Sequence, residues 1–288
     1  MKSRSILLLS LLAGVLAGVL AGCGAIMRQA SSELAADLGA AIQSHDDPET
    51  VAAALPAWML LLEALLRSQP DNADLLFDTA RLYSVYSGLF VAEPERQKRL
   101  ADRALSYARR GLCVEDETLC AALDRPYLDF EPIVLATGQA DIEAAYRYAT
   151  VWAGWVQAYS AAYDALADLP KVELLLRRVV DLAPALDDGA PYLYLAVLNS
   201  QRPAAVGGDL DGARRYYRLA VERSAGHNLL IKVYYAEQYA RMVFDRELHD
   251  CLLHEVLDAK VDIPEFKLTN QLAKARAKQL LEEADAFF

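Results

Sequence analysis

The densest group of side chains that could bind a metal ion lies between positions 249 and 255. His249, Cys251, His254 and Glu255 supply imidazole, thiol and carboxylate groups, all of which are zinc ligands in proteins. In a helix, however, His249 and Cys251 point to opposite faces, and only Cys251 aligns with His254 or Glu255. The second histidine of the zinc-protease motif is also missing from this segment. The pattern therefore predicts no metal site.

Other catalytic motifs are missing from the sequence as well. Gly207 and Gly208 are followed by neither Lys-Ser nor Lys-Thr, so a tight turn before a helix explains them better than a phosphate-binding loop. There is no Gly-x-Ser-x-Gly elbow, and paired carboxylates such as Glu282 and Glu283 are expected to lie on a solvated helix face. The sequence therefore predicts a protein that is not an enzyme and uses no cofactor.

Cys23 is positioned for covalent lipid attachment. Lys2 and Arg4 precede an apolar run from Ile6 to Ala21, and small residues lead directly into the cysteine. This layout is typical of a secretory signal segment. The sequence Leu20-Ala21-Gly22-Cys23 resembles the lipobox of bacterial lipoproteins, in which the thiol is diacylated before the preceding peptide bond is cleaved.

The lipobox resemblance implies a signal peptide over residues 1–22, a lipidated tether over 23–30 and a domain over 31–288. It implies a periplasmic protein held by palmitate-type acyl chains, each of which adds about 0.8 kcal/mol per buried methylene. Gly24 follows the cysteine, where an aspartate would favour the inner membrane in enteric-type sorting, so the outer membrane is preferred. An uncleaved N-terminal anchor helix with an incidental cysteine is the alternative.

Two further cysteines, Cys113 and Cys120, flank the acidic linker 114–119. Close cysteines in an oxidising compartment are usually bridged, so we expect a local disulfide across a turn between helices. A metal site is the disfavoured alternative, because no histidine lies near the pair in sequence. Cys251 is expected to be a buried thiol on a helix.

Composition limits the kinds of partner that the chain can bind. Of the 288 residues, 55% are hydrophobic and 24% are charged, which is enough for a substantial core. The formal net charge of −11 becomes −13 when Lys2 and Arg4 leave with the signal peptide. An acidic domain of this kind does not bind nucleic acid through its phosphates or adhere electrostatically to anionic lipid. No segment after the signal has about 18 uninterrupted apolar residues, so we expect no further membrane span.

Everything after residue 30 has the periodicity of helices. Apolar residues recur at spacings of three and four, and no run of alternating β-branched residues has the length of a strand. Proline and glycine breakers divide the chain into helices of roughly 10–25 residues. Asp71 or Asn72 is expected to cap a helix that begins near Ala73, and Asp209 a helix that runs through Ser224.

Helix pairs recur along the chain with the features of a tetratricopeptide repeat. Residues 208–220 match the second half of that repeat, and residues 192–198 supply the partner helix. Ala213 and Ala220 are small enough for two helices to approach closely, and Tyr217 fills the space between them. We therefore predict an all-α fold of degenerate tetratricopeptide-like helical hairpins in a compact superhelix.

The C-terminal third is similar to a particular family. The matching positions include Gly207, Gly208, Asp209, Ala213, Tyr217, Ala220, Ser224, Val233, Ala236, Asp245, Arg246, Leu252, Leu253, Val256, Leu257, Leu268, Asn270, Ala273, Ala277, Leu280 and Leu281. In this order and spacing they resemble the T-component family of TRAP (tripartite ATP-independent periplasmic) transporters, periplasmic lipoproteins often called TatT. The resemblance is weak before residue 140 and good after residue 170. Tyr217 stands where the family often has phenylalanine.

The family resemblance implies an architecture, an assembly and a partner. It implies a ring-like protomer around a hydrophobic channel, assembled as a homotrimer. The implied partner is the substrate-binding P-component of a transporter driven by an ion gradient, and the implied ligands are small apolar or amphipathic carboxylates. A general envelope scaffold that binds a peptide or protein in its concave groove is the alternative function.

Six aromatic residues are candidates for lining a groove or channel. They are Tyr148, Trp152, Trp155, Tyr159, Tyr163 and Tyr192. Trp152, Trp155 and Tyr159 share one helical face, and Tyr148 and Tyr163 continue the stripe. Rings with a polar tip suit an amphipathic pocket. Ordinary core packing between stacked helices is the alternative.

Overall fold

The computed structural model describes residues 29–202 and 207–288, and these residues contain helices and no strand. The α-helices are α1 (residues 29–43), α2 (Pro48–Ser68), α3 (Ala73–Phe90), α4 (Pro94–Glu115), α5 (Glu117–Ala122), α6 (Tyr127–Ala136), α7 (Ile142–Ala158), α8 (Tyr163–Ala167), α9 (Leu169–Leu182), α10 (Ala190–Gln201), α11 (Leu210–Arg223), α12 (Leu230–Tyr234), α13 (Arg246–Asp258), α14 (Lys267–Glu282) and α15 (Ala284–Phe287). Short 3₁₀-helices occupy Leu186–Gly189 and Pro264–Phe266, and a π-helix occupies Tyr235–Ala240. The predicted all-α class is confirmed.

The signal peptide and Cys23 lie outside the described residues, so their assignment stays a prediction. The predicted boundary between tether and domain, after residue 30, falls inside α1, which includes residues 29 and 30. The division of the chain into signal peptide, tether and domain therefore also stays a prediction.

The two predicted helix starts follow from short side chains that accept otherwise unpaired N–H groups. The Asn72 side chain accepts from the backbone N–H of Leu75 at 3.3 Å, so Asn72, rather than Asp71, caps α3. The Asp209 carboxylate accepts from the N–H of Gly212 at 2.9 Å and caps α11. Local sequence therefore sets where these helices begin.

The helices form two layers of hairpins. An inner layer runs through α3, α7, α10 and the π-helix, each in contact with the next. An outer layer contains α4, α9, α11 and α13, with α4 packed on α3, α9 on α7 and α11 on α10. Helix α14 packs on α12 and α13 and also contacts α2, so the two ends of the helical domain meet. This arrangement places distant parts of the sequence on one inner face.

The predicted repeat packing is present around Tyr217. Ala213, Tyr217 and Ala220 are fully buried on α11. The Tyr217 ring stacks on Tyr235 with centroids 4.7 Å apart, and Tyr239 meets it edge-on at 6.4 Å. Small residues thus let the helices approach, and one large ring fills the remaining space.

Helix α2 combines length with an apolar composition, although Glu63 interrupts its apolar run. Among residues 29–202 and 207–288 it is the helix that is long and apolar enough to cross a membrane by length and composition, a test that core helices of globular proteins also pass. One face packs into the core through Val51, Leu55, Met59, Leu62 and Leu66. Only 28% of its most apolar 18-residue stretch is buried, so much of the helix faces outward.

Candidate functional site

Three of the six predicted aromatic residues lie in the core. Tyr148 and Trp152 are each 3% exposed, and Tyr192 is 7% exposed. Trp152 meets Phe130 edge-on at 6.5 Å, and its indole N–H donates to Asp168 at 3.2 Å. For these three side chains the structure supports the alternative of ordinary core packing.

The remaining three aromatic residues do not form one surface. Trp155 and Tyr159 are half-buried. The Trp155 indole N–H donates to one carboxylate oxygen of Asp102 and the Tyr159 hydroxyl donates to the other, each at 2.8 Å, which ties α7 to α4. Burial and the hydrogen bond to Asp102 raise the pKa of Tyr159 to about 12. Tyr163 is 89% exposed because α7 ends before it and it starts the separate helix α8. The five residues of the predicted stripe thus divide into two buried side chains, one clamped pair and one isolated ring.

Sequence analysis missed a different set of polar side chains, which comes from three inner-layer helices and from two short elements that adjoin the inner layer. Arg81 comes from α3, Tyr146 from α7, Asp187 from a 3₁₀-helix, Tyr194 from α10 and Tyr234 from α12. The Tyr146 hydroxyl donates to the Asp187 carboxylate. Asp187, Arg81 and Tyr234 all lie close enough to Tyr194 to affect the pKa of its phenol. We call these five residues the inner tyrosine face.

The phenols of the inner tyrosine face are neutral at physiological pH. Desolvation raises the pKa of Tyr194 to about 12, and desolvation with the nearby Asp187 charge raises the pKa of Tyr146 well above its usual value. Burial also raises the pKa of Tyr234. The hydroxyl groups of Tyr194 and Tyr234 therefore stay protonated and can donate hydrogen bonds, while the rings offer apolar surface.

An unusual turn holds Asp187 in place. Asp187, Asp188 and Gly189 have consecutive positive φ values of 49°, 50° and 77°. A side chain at Gly189 would also bring its Cβ within 2.3 Å of the Arg223 Cβ. Non-glycine residues in this region cost about 1–2 kcal/mol each, and aspartate tolerates it better than most. Backbone strain of this kind concentrates at functional sites. The sequence signal for this turn was Asp-Asp-Gly.

Arg81 is the exposed cation of the inner tyrosine face. It has no carboxylate among the described residues within the 4.0 Å of an ion pair, although Asp78 and Asp187 lie nearby. Asp78 is already bound by Arg147 at 3.0 Å. A guanidinium with free donors can bind a carboxylate through two parallel hydrogen bonds. The inner tyrosine face can therefore bind an anionic group beside apolar rings.

A buried ion pair lies between α9 and the end of α10. Arg202 donates to the Glu173 carboxylate, and both side chains are only 10% exposed. Arg177 approaches Glu173 at 2.6 Å from the solvent side, and the Asn199 amide lies 3.5 Å away. Because its charges satisfy each other, this cluster joins two helices rather than offering a binding site.

The residues first considered as metal ligands divide between a buried and an exposed face of α13. His249 is fully buried with its Nδ1 2.8 Å from Asp250, whereas Cys251 is exposed. The expectation that Cys251 is buried is wrong, because it lies on the face of α13 opposite His249. In residues 29–202 and 207–288, no three His, Cys, Asp or Glu side chains form a group that could hold a metal ion.

The predicted disulfide pair is brought together by the turn between α4 and α5. The Cys113 and Cys120 sulfur atoms are in bonding contact, and their Cα atoms are 5.0 Å apart. The Asp116 carboxylate between them accepts from the N–H of Leu119 at 2.8 Å and caps α5.

Comparison with known proteins identifies the family of the chain. The family described as TRAP transporter T-component matches residues 44–288, which is most of the helical domain. A protein of Treponema pallidum (strain Nichols), described only as uncharacterized, is 24% identical over 271 residues, covering 88% of this chain and 84% of its own length. Because the family match extends from residue 44, directly after α1, to the last residue, the chain belongs to the T-component family of TRAP transporters.

Proposed function

We propose that the protein binds the P-component of its TRAP transporter and holds a small amphipathic carboxylate on the inner tyrosine face. Family membership makes it an accessory component of a transporter in the bacterial envelope. The observation that carries the ligand proposal is the exposed Arg81 guanidinium among neutral, partly buried phenols.

The chemistry of this face fits a ligand that has one charged end and an apolar body. In this proposal the Arg81 guanidinium binds the carboxylate, and the protonated phenol of Tyr194 on the same face supplies a hydrogen-bond donor. The tyrosine rings cover the apolar part and remove it from water. Because burial raises the pKa of each phenol above its ordinary value, the phenols are uncharged and do not repel an anion at neutral pH.

Binding of octanoate, measured by isothermal titration calorimetry, tests the role of Arg81. We expect Arg81→Ala to weaken binding at least tenfold, since a charge-assisted hydrogen bond contributes about 1.5–3 kcal/mol. Arg218→Ala removes an exposed arginine from outer-layer helix α11 and is the matched control. Equal affinities for the wild type and Arg81→Ala would refute the assignment.

Affinity purification of the full chain from detergent extracts tests the protein partner. We expect a periplasmic substrate-binding protein to co-purify, and native mass spectrometry of the purified protein to show the homotrimer that the family resemblance implies. Recovery of no substrate-binding protein would favour the alternative of a general envelope scaffold.

Acylation of Cys23 is proposed as the membrane anchor, with the outer membrane as its location. We expect labelled palmitate to enter the wild type but not Cys23→Ala, and the wild type to sediment with outer-membrane fractions. Palmitate incorporation into Cys23→Ala would contradict the anchor.

A further inference from the structure

Helix α2 has an exposed apolar stripe opposite its buried face. The stripe consists of Ala53, Ala54, Ala57, Leu60, Leu61 and Ala64, all exposed, with Leu60 66% and Leu61 43% exposed. These positions share one side of the helix at spacings of three and four. We call them the α2 stripe.

The α2 stripe contains no charge. Between Glu49 and Arg67 the helix carries one charged residue, Glu63. The Glu63 carboxylate turns away from the stripe and accepts hydrogen bonds from the Tyr83 and Tyr107 hydroxyls at 2.7 and 3.0 Å. Contiguous apolar surface on a soluble domain usually marks a contact with a partner or a membrane.

Helix α1 connects the α2 stripe to the proposed anchor. The Gln69 side chain donates to the Ser31 hydroxyl at 2.7 Å, and a Cβ at Gly39 would lie 3.9 Å from the Trp58 ring. Helix α1 therefore runs antiparallel to α2, and its beginning lies at the C-terminal end of α2. Only seven residues lie between Cys23 and Ser31, and the eight steps between their Cα atoms reach at most about 29 Å. An acylated Cys23 would thus hold the bilayer within about one helix length of the stripe.

We propose that the α2 stripe rests on the lipid surface that receives the Cys23 acyl chains. The inference depends on the proposed acylation of Cys23. Helix α2 lies along the surface rather than across it, because its opposite face belongs to the protein core. The contact is apolar, which suits a processed chain with a net charge of −13 that has no electrostatic attraction to anionic lipid. Such a contact fixes the orientation of the domain relative to the membrane, which a flexible tether alone does not.

Quenching of tryptophan fluorescence by brominated phosphatidylcholine tests this contact. The acylated full chain is reconstituted into vesicles, and Trp58, half-buried beside the stripe, is the reporter. Trp58→Phe measures the background from Trp152 and Trp155. We expect brominated lipid to quench the wild type more than Trp58→Phe, and Leu60→Glu/Leu61→Glu to lose at least half of that difference.

Leu128→Glu/Leu135→Glu is the matched control, because these leucines are 79% and 52% exposed on α6. We expect the control to retain wild-type quenching and both double variants to retain the wild-type melting temperature. If the protein is acylated but its quenching does not depend on Trp58, the membrane contact is overturned while the anchor stands. If mass spectrometry finds no acyl chain on Cys23, the anchor and the membrane contact are both overturned. A smaller oligomer for Leu60→Glu/Leu61→Glu would show that a second copy covers the stripe, and would also overturn the proposal.

Discussion

Removing one partner of the Glu173–Arg202 pair is expected to destabilise the protein strongly. Both side chains are 10% exposed, so neither charge can be solvated without local opening. Glu173→Met leaves the Arg202 guanidinium buried without a counter-charge. Loss of one partner of a buried pair typically costs about 3–5 kcal/mol, a large part of the 5–15 kcal/mol that stabilises a folded domain.

Removing the other partner, Arg202, should lower the free energy of unfolding by less. In Arg202→Met the Glu173 carboxylate keeps Arg177, 2.6 Å away and 55% exposed, as its counter-charge. We therefore expect a cost of about 1.5–3 kcal/mol, the range for a hydrogen bond to a charged group. The double variant Glu173→Met/Arg202→Met removes both buried charges and should be more stable than Glu173→Met alone.

Urea unfolding followed by circular dichroism measures these differences. With a slope of about 2–3 kcal/mol per molar urea, Glu173→Met should lower the midpoint by about 1–2.5 M. Arg177→Met removes the exposed partner and is the control, with an expected cost below about 1 kcal/mol. A double variant whose cost equals the sum of the two single costs would refute the reasoning, because the two charges would then be uncoupled.

Three further changes have predictable effects. Tyr217→Ala should lower the free energy of unfolding by about 3–5 kcal/mol in a urea titration, because it leaves a cavity beside Tyr235. Cys113→Ser should lower it by about 2.5 kcal/mol under non-reducing conditions, since the bridge to Cys120 closes a short loop. Tyr194 has a folded pKa of about 12 against an unfolded value of about 10, so its contribution to stability is complete below pH 10 and is lost as the pH rises to about 12. Spectrophotometric titration at 295 nm should show this phenol ionising late, and Tyr194→Phe should remove it.

Each of these predictions has a contrasting result. Tyr217→Phe keeps the ring and should cost only about 1 kcal/mol, so a cost equal to that of the alanine variant would contradict the cavity argument. A Cys113→Ser protein as stable as the wild type would contradict a bridge. Identical alkaline titrations for the wild type and Tyr194→Phe would show that Tyr194 ionises outside the expected range.

Sequence alone determined the features that depend on near neighbours in the chain. Asn72 and Asp209 start helices because each side chain reaches an N–H group three residues ahead. Ala213 and Tyr217 identified a helical hairpin because the two helices of a repeat are adjacent in sequence and pack through regularly spaced residues. The all-α class and the family resemblance rest on such local patterns.

Only the tertiary structure decided which faces are covered and which distant residues meet. Helical spacing placed Trp152 and Trp155 on one side of α7, yet one is buried against Phe130 while the other is held near the surface by Asp102. Arg81 and Tyr194 are more than 100 positions apart and become neighbours because the inner helices stack. Periodicity defines a direction around one helix, whereas burial and electrostatic contact depend on what the neighbouring helices place there.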